Sequence, residues 1–152
     1  MSLPGNSSPI RYTQTIELPY SPVQMFDLVA DIERYPEFLD EYREARIRSR
    51  TGDTLEVDQV IALPLINLPL NAIATFMRPE SIIVRSTQPL LGEMEILWRF
   101  AGIASGARID FNMLLNPPTR FGAGLAEFLM SHAAARTLNA FAERAAKLYG
   151  AG

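Results

Sequence analysis

An α+β domain, in which an antiparallel sheet of about seven strands carries a long C-terminal helix on one face, is the fold class the sequence predicts. Three observations predict it. Apolar and polar residues alternate through the second half of the chain, so each strand there has one dry and one wet side. A proline-free amphipathic stretch runs from Phe121 to Tyr149. Two short helical segments that meet at Tyr35-Pro36 follow the first strand.

The elements follow in order. Residues 1–9 are polar and turn-rich, with no apolar run of signal-peptide length, and read as a flexible tail before a single domain over 10–150. Arg11–Leu18 is a strand, with Tyr12, Ile16 and Leu18 on one parity. Ser21 then suits an N-cap, Pro22 the first helical position and Gln24 the partner position of a capping box. Met25, Phe26, Val29 and Ile32 recur at three- and four-residue steps and form the helix's apolar face. Pro36 drives Tyr35 out of the α region, so this helix must finish between Asp31 and Arg34, and a second short turn carries Phe38 and Leu39.

Glu44–Arg50 and Thr54–Leu63 flank Thr51-Gly52-Asp53 as the arms of a hairpin. Further strands are expected at Asn71–Met77 and Ser81–Ser86. Two more follow, in which Met94, Ile96, Trp98 and Phe100, and then Ile109, Phe111, Met113 and Leu115, share a dry side. The closing helix, of roughly 28 residues, would be about 42 Å long, enough to cross the whole sheet. Its stripe is Leu125, Phe128, Leu129, Ala134, Leu138, Phe141, Ala145 and Leu148, and Gly150 ends it.

Composition narrows the function. At 152 residues, 48% hydrophobic and 20% charged, the chain is globular. A net charge of -3 argues against nucleic acid as a partner. The absence of cysteine excludes disulfides, thiolate metal sites and thiol nucleophiles. The most apolar run, Val60–Phe76, is broken by prolines and asparagines and is too short for a membrane span, so a cytoplasmic location is expected.

The motif Met25–Leu39 (MFDLVADIERYPEFL), followed by Trp98-Arg99-Phe100 and a C-terminal amphipathic helix, resembles the START-like helix-grip superfamily. Within it, the motif is similar to the polyketide cyclase/dehydrase group, in the branch that includes coenzyme Q-binding proteins and ribosome-association toxins. The resemblance covers Arg11 to Tyr149 and implies a helix-grip fold with a ligand cavity between sheet and long helix. It also implies that the corner made by Phe26, Tyr35 and Phe38 closes one end of that cavity. Val57, Gln59, Ile61, Ile96, Trp98, Phe111 and Met113 from the sheet, with Leu125, Phe128, Leu129 and His132 from the helix, are then the candidate ligand-binding residues.

The function expected is non-catalytic binding or transport of a small hydrophobic molecule, quinone-, lipid- or polyketide-like, with no cofactor and no metal. A cyclase, aromatase or dehydratase, or a module that binds the ribosome, are the alternatives. His132 is the only histidine and lacks a metal-binding or triad partner, so no catalytic residue is assigned. Gln59 is a polar residue on an apolar parity; it serves either a ligand carbonyl or a buried backbone group. Arg85, Arg99 and Arg108 fall on the wet parity, which weakens an enolate-stabilising role. Arg46, Arg48 and Arg50 make a small basic stripe. The segment Leu63–Leu70 (LPLINLPL) is too rich in proline for a central strand, and reads as loop or edge. Its leucines suggest an apolar lip able to touch a membrane or a second copy of the chain.

Overall fold

The computed structural model describes residues 9–150, so the expected tail lies outside the described residues except for Pro9. Seven antiparallel strands form one sheet in the order β1-β7-β6-β5-β4-β3-β2. They are β1 (Ile10–Leu18), β2 (Tyr42–Thr51), β3 (Thr54–Leu63), β4 (Ile66–Met77), β5 (Ser81–Gln88), β6 (Gly92–Ile103) and β7 (Gly106–Asn116). Helix α1 (Pro22–Ala30) and a 3-10 turn (Ile32–Glu37) link β1, at one edge, to β2, at the other. The chain closes with α2 (Arg120–Phe128), a π-helical turn (Leu129–Ala134) and α3 (Ala135–Tyr149).

Local chemistry sets these boundaries. The capping box is formed: the Gln24 backbone N–H donates to Ser21 Oγ at 3.1 Å, and the Ser21 N–H donates to Gln24 Oε1 at 2.9 Å. Helix α1 stops at Asp31, and the 3-10 turn takes Pro36 inside it. The Tyr35 hydroxyl donates to the Val29 carbonyl, which pins the second turn back onto the end of the first helix. At the β2–β3 hairpin Thr51 pairs with Thr54, so the turn is two residues rather than three, with Gly52 at a φ of +57°.

The expected parity holds along β3, β6 and β7. Every second residue of Leu55–Leu63 is buried, and so are Met94, Ile96, Trp98, Phe100, Ile109, Phe111, Met113 and Leu115. Two expectations need correction, the apolar lip at Leu63–Leu70 and the unbroken α-helix at the end of the chain. That Leu63–Leu70 is loop or edge holds: Pro64-Leu65 is a turn, and β5 pairs with β4 only from Ala72 onward. Ile66–Asn71 therefore has an open edge on that side, where the donor missing at Pro69 breaks no ladder. Leu63, Leu68 and Leu70 are buried core, so the expected lip shrinks to the fully exposed Leu65 beside half-buried Ile66.

Leu65 also sits at a φ of +66°, a conformation that costs a residue with a branched side chain about 1–2 kcal/mol. Leu65→Asn is accordingly expected to raise stability by about 0.5–1 kcal/mol in denaturant melts. A loss of stability would show that the leucine holds a contact that the fold needs.

The second correction concerns the closing helix, which is not α-helical throughout. Its buried positions are Gly122, Ala126, Met130, Ala134 and Leu138 at steps of four, with Leu129, Phe141 and Ala145 beside them. Successive steps of four residues drift off a straight α-helix's face. The wider turn at Leu129–Ala134 takes up that drift and keeps one face on the sheet.

Candidate functional site: an apolar cavity under the closing helix

The dry face of the sheet and the closing helix do not meet everywhere. Between them lies a cavity walled by β2 to β7 on one side and by Leu129, Ala133, Ala134, Thr137 and Phe141 on the other. The cavity is slender. About 70 Å³ of it is open to the centre of a water molecule, several times the ~10–15 Å³ that one water needs. The flexible side chains of Met94 and Met113 form part of its wall, so its width can adjust to a guest.

An aromatic cluster closes one end. The Tyr35 ring lies edge-on to Tyr42 at 5.2 Å between centroids and to Phe141 at 5.5 Å. Phe141 meets Trp98 at 5.1 Å, and Trp98 meets Phe111 at 4.8 Å. Edge-to-face pairs of this kind add stability beyond the area they bury. They also fix the position of the 3-10 turn against three other elements. The break therefore falls at Asp31, where α1 gives way to the 3-10 turn, and not at Tyr35-Pro36 as expected; it turns the chain so that Tyr35 reaches the cavity.

Nine of the residues expected at the site line it: Tyr35, Val57, Gln59, Ile61, Ile96, Trp98, Phe111, Met113 and Leu129. Five do not. Phe26 is buried on the other side of α1, edge-on to Phe76 at 5.8 Å and to Phe100 at 5.7 Å. Phe38 covers Phe141 from outside, with the Arg144 guanidinium 5.1 Å above its ring. Leu125 and Phe128 are half-buried on α2, ahead of the π turn that brings Leu129 round to the cavity. His132 points to solvent, its ring stacked on Phe128 at 4.1 Å and its Nδ1 3.0 Å from Ser131 Oγ. It is no base for cavity chemistry.

The polar groups on the wall are few. Gln59 is only 6% exposed, and among the described residues its side-chain amide has no hydrogen-bond partner. Tyr42 stands diagonally across from it, opposite Ile61 in the β2–β3 register. Burial first, and then the charge of Glu41, push the Tyr42 hydroxyl up to about 12, so it stays protonated. The Tyr35 hydroxyl is pushed well above its ordinary value, chiefly by burial, and is already spent on Val29.

At the mouth, Arg136 bonds Glu41 at 2.7 Å and also donates to the His132 carbonyl at 2.6 Å, tying the π turn to the start of β2. A surface groove outside shares Leu39, Glu41, Ala133 and Thr137 with the cavity, so the two adjoin at these side chains. Sequence reasoning misses this mouth. Glu41, Thr137 and Arg136 look like ordinary surface residues until the fold brings the 3-10 turn over the helix.

Comparison with known proteins places this geometry. The family described as polyketide cyclase / dehydrase and lipid transport matches residues 18–142. The ribosome association toxin RatA of Rickettsia prowazekii (strain Madrid E) is 30% identical over 106 residues, 67% of this chain and 73% of that protein. The coenzyme Q-binding protein COQ10 homolog B, mitochondrial, of Xenopus laevis is 24% identical over 149 residues, 95% of this chain and 61% of that protein. The crystal structure of the Zhui aromatase/cyclase from Streptomyces sp. R1128 superposes with a TM-score of 0.83 at 13% identity, covering 95% of this chain and 99% of that one. At that identity the likeness shows the fold alone, and the fold is the helix grip. With the match extending over most of its length, the chain belongs to the polyketide cyclase / dehydrase and lipid transport family.

Proposed function

We propose that the chain binds and carries a small apolar molecule, lipid-, quinone- or polyketide-like, in the cavity under its closing helix, without transforming it. The observation that carries this reading is the cavity wall: aliphatic and aromatic side chains from six strands and one helix, with no histidine, lysine or arginine among the described lining residues. Binding such a guest needs no dedicated motif, since each buried methylene contributes about 0.8 kcal/mol. Acid–base chemistry needs a group of suitable pKa aimed at the substrate. Tyr42 is held neutral far above neutral pH, the His132 ring lies outside, and Glu41, the carboxylate on the wall, is bonded to Arg136 at 2.7 Å. The lipid transport in the family's description and the coenzyme Q binding in one relative's name support the same reading. No helix among the described residues is long and apolar enough to cross a membrane.

Native mass spectrometry of the protein purified from its own host tests the proposal. The expected spectrum shows a small apolar molecule bound, lost when the protein is unfolded. A bare protein that also takes up no apolar guest in titration would refute it.

Ribosome association is a second reading, favoured by the RatA relatives. Arg46, Arg48 and Arg50 are exposed on edge strand β2, but Arg48 is committed to Asp58 at 3.0 Å and Arg46 pairs in register with the same aspartate. Co-sedimentation with ribosomes that survives charge reversal at Arg46 and Arg50 would remove this face from the reading.

A further inference from the structure

Resting on the proposed apolar cavity, we infer that its guest is an uncharged molecule with a carbonyl or hydroxyl oxygen at one end, seated against Gln59, and that carboxylates are turned away. Gln59 is the buried polar residue of the cavity. Its neighbours on the inward side are Val57 and Ile61 along β3 and Leu70 across the ladder, all apolar and all buried. None of them can bond an amide. The Gln59 amide makes no side-chain hydrogen bond among the described residues and is not sealed off from the cavity, so two donors and an acceptor oxygen stand ready for a guest.

The chemistry that would meet it is narrow. A glutamine amide serves a ketone, ester or ring carbonyl through its N–H groups, and a hydroxyl through its oxygen. The Tyr42 hydroxyl on the same wall makes no hydrogen bond among the described residues, and it stands as a second neutral donor. Neither group carries a charge. A carboxylate head would need a cation, and none lines the cavity among the described residues. Glu41 is the one charged residue on the wall, and it repels an anion. Arg136 does not compensate, because its side chain is 66% exposed and already bonded to Glu41 and to the His132 carbonyl. An anion drawn to Arg136 would have to break that contact and would still lie outside the cavity.

Three eight-carbon probes separate the possibilities: 2-octanone, octanoate and octane, each titrated against the wild-type protein loaded with the neutral dye N-phenyl-1-naphthylamine. The ketone is expected to displace the dye at a concentration at least tenfold below that of octanoate. In Gln59→Met, which keeps the length of the side chain, the ketone should lose affinity relative to octane. Octanoate binding as tightly as the ketone in the wild-type protein overturns the inference, whatever the variant does. So does a ketone-to-octane ratio unchanged in folded Gln59→Met. If none of the three displaces the dye, the apolar-cavity reading itself falls and takes this inference with it.

Discussion

Replacing Phe141 with alanine is expected to cost about 3–5 kcal/mol of folding free energy, as for other fully buried phenylalanines. Its side chain is 1% exposed and stands where the 3-10 turn, β6 and α3 converge. Removing it empties the space between Tyr35, Phe38 and Trp98, whose rings lie 5.5, 5.1 and 5.1 Å from it. Neighbours that are themselves rigid rings cannot collapse into the gap, which favours the upper part of that range. For a domain of this size each kcal/mol shifts the melting temperature by about 2–4 °C. A fall of less than a few degrees in a thermal melt would show that the aromatic corner does not hold the closing helix on the sheet.

The second large effect is on binding. Ala133 lies in the π turn, on the boundary that the cavity shares with the surface groove. Ala133→Phe would set a ring across the mouth, into a space with only about 70 Å³ open to a water centre. Apolar guests are expected to lose at least about a hundredfold in affinity, ~2.7 kcal/mol. The stability cost of overpacking a half-buried site stays within about 1–3 kcal/mol. Dye-displacement titration beside a thermal melt reads both quantities. Undiminished affinity in the folded variant would mean that guests neither enter by this mouth nor sit beneath it.

Much of the cavity wall is legible in the amino-acid sequence alone. Period-two alternation determines which side of a strand is dry, and Val57, Gln59, Ile61, Ile96, Trp98, Phe111 and Met113 all line the cavity for that reason. The capping box at Ser21 and the end of α1 at Asp31 likewise depend only on neighbouring residues, whereas the 3-10 turn runs on through Pro36 to Glu37. What stays hidden depends on more distant partners. A π turn leaves no local signature, because Leu125, Phe128 and Leu129 satisfy helical spacing whether or not the turn widens after them. Without it the inward stripe cannot be traced, so spacing assigns Leu125, Phe128 and His132 to a face that turns elsewhere.

At Leu63–Leu70 the prolines foretell loop or edge, but not that Leu63, Leu68 and Leu70 are buried. A proline is excluded from a strand with neighbours on both sides, and only the register shows that β5 falls short of Pro69. Tyr35 is instructive in the other direction. The sequence places it correctly at the cavity, yet its hydroxyl serves the Val29 carbonyl, so its part is to hold the corner rather than to greet a guest.

Whether an apolar guest sits between sheet and helix is tested most directly at Trp98. It is the chain's sole tryptophan, 4% exposed, and part of the cavity wall. Its fluorescence can be followed while a brominated medium-chain ketone is titrated, since bromine quenches an indole only at near contact. Saturable quenching at low ligand excess is expected, lost in Ala133→Phe and reversed by unbrominated 2-octanone. Saturable binding of the same ketone, seen by mass spectrometry, with Trp98 unquenched would place the guest elsewhere on the protein and contradict a cavity under the closing helix as its seat.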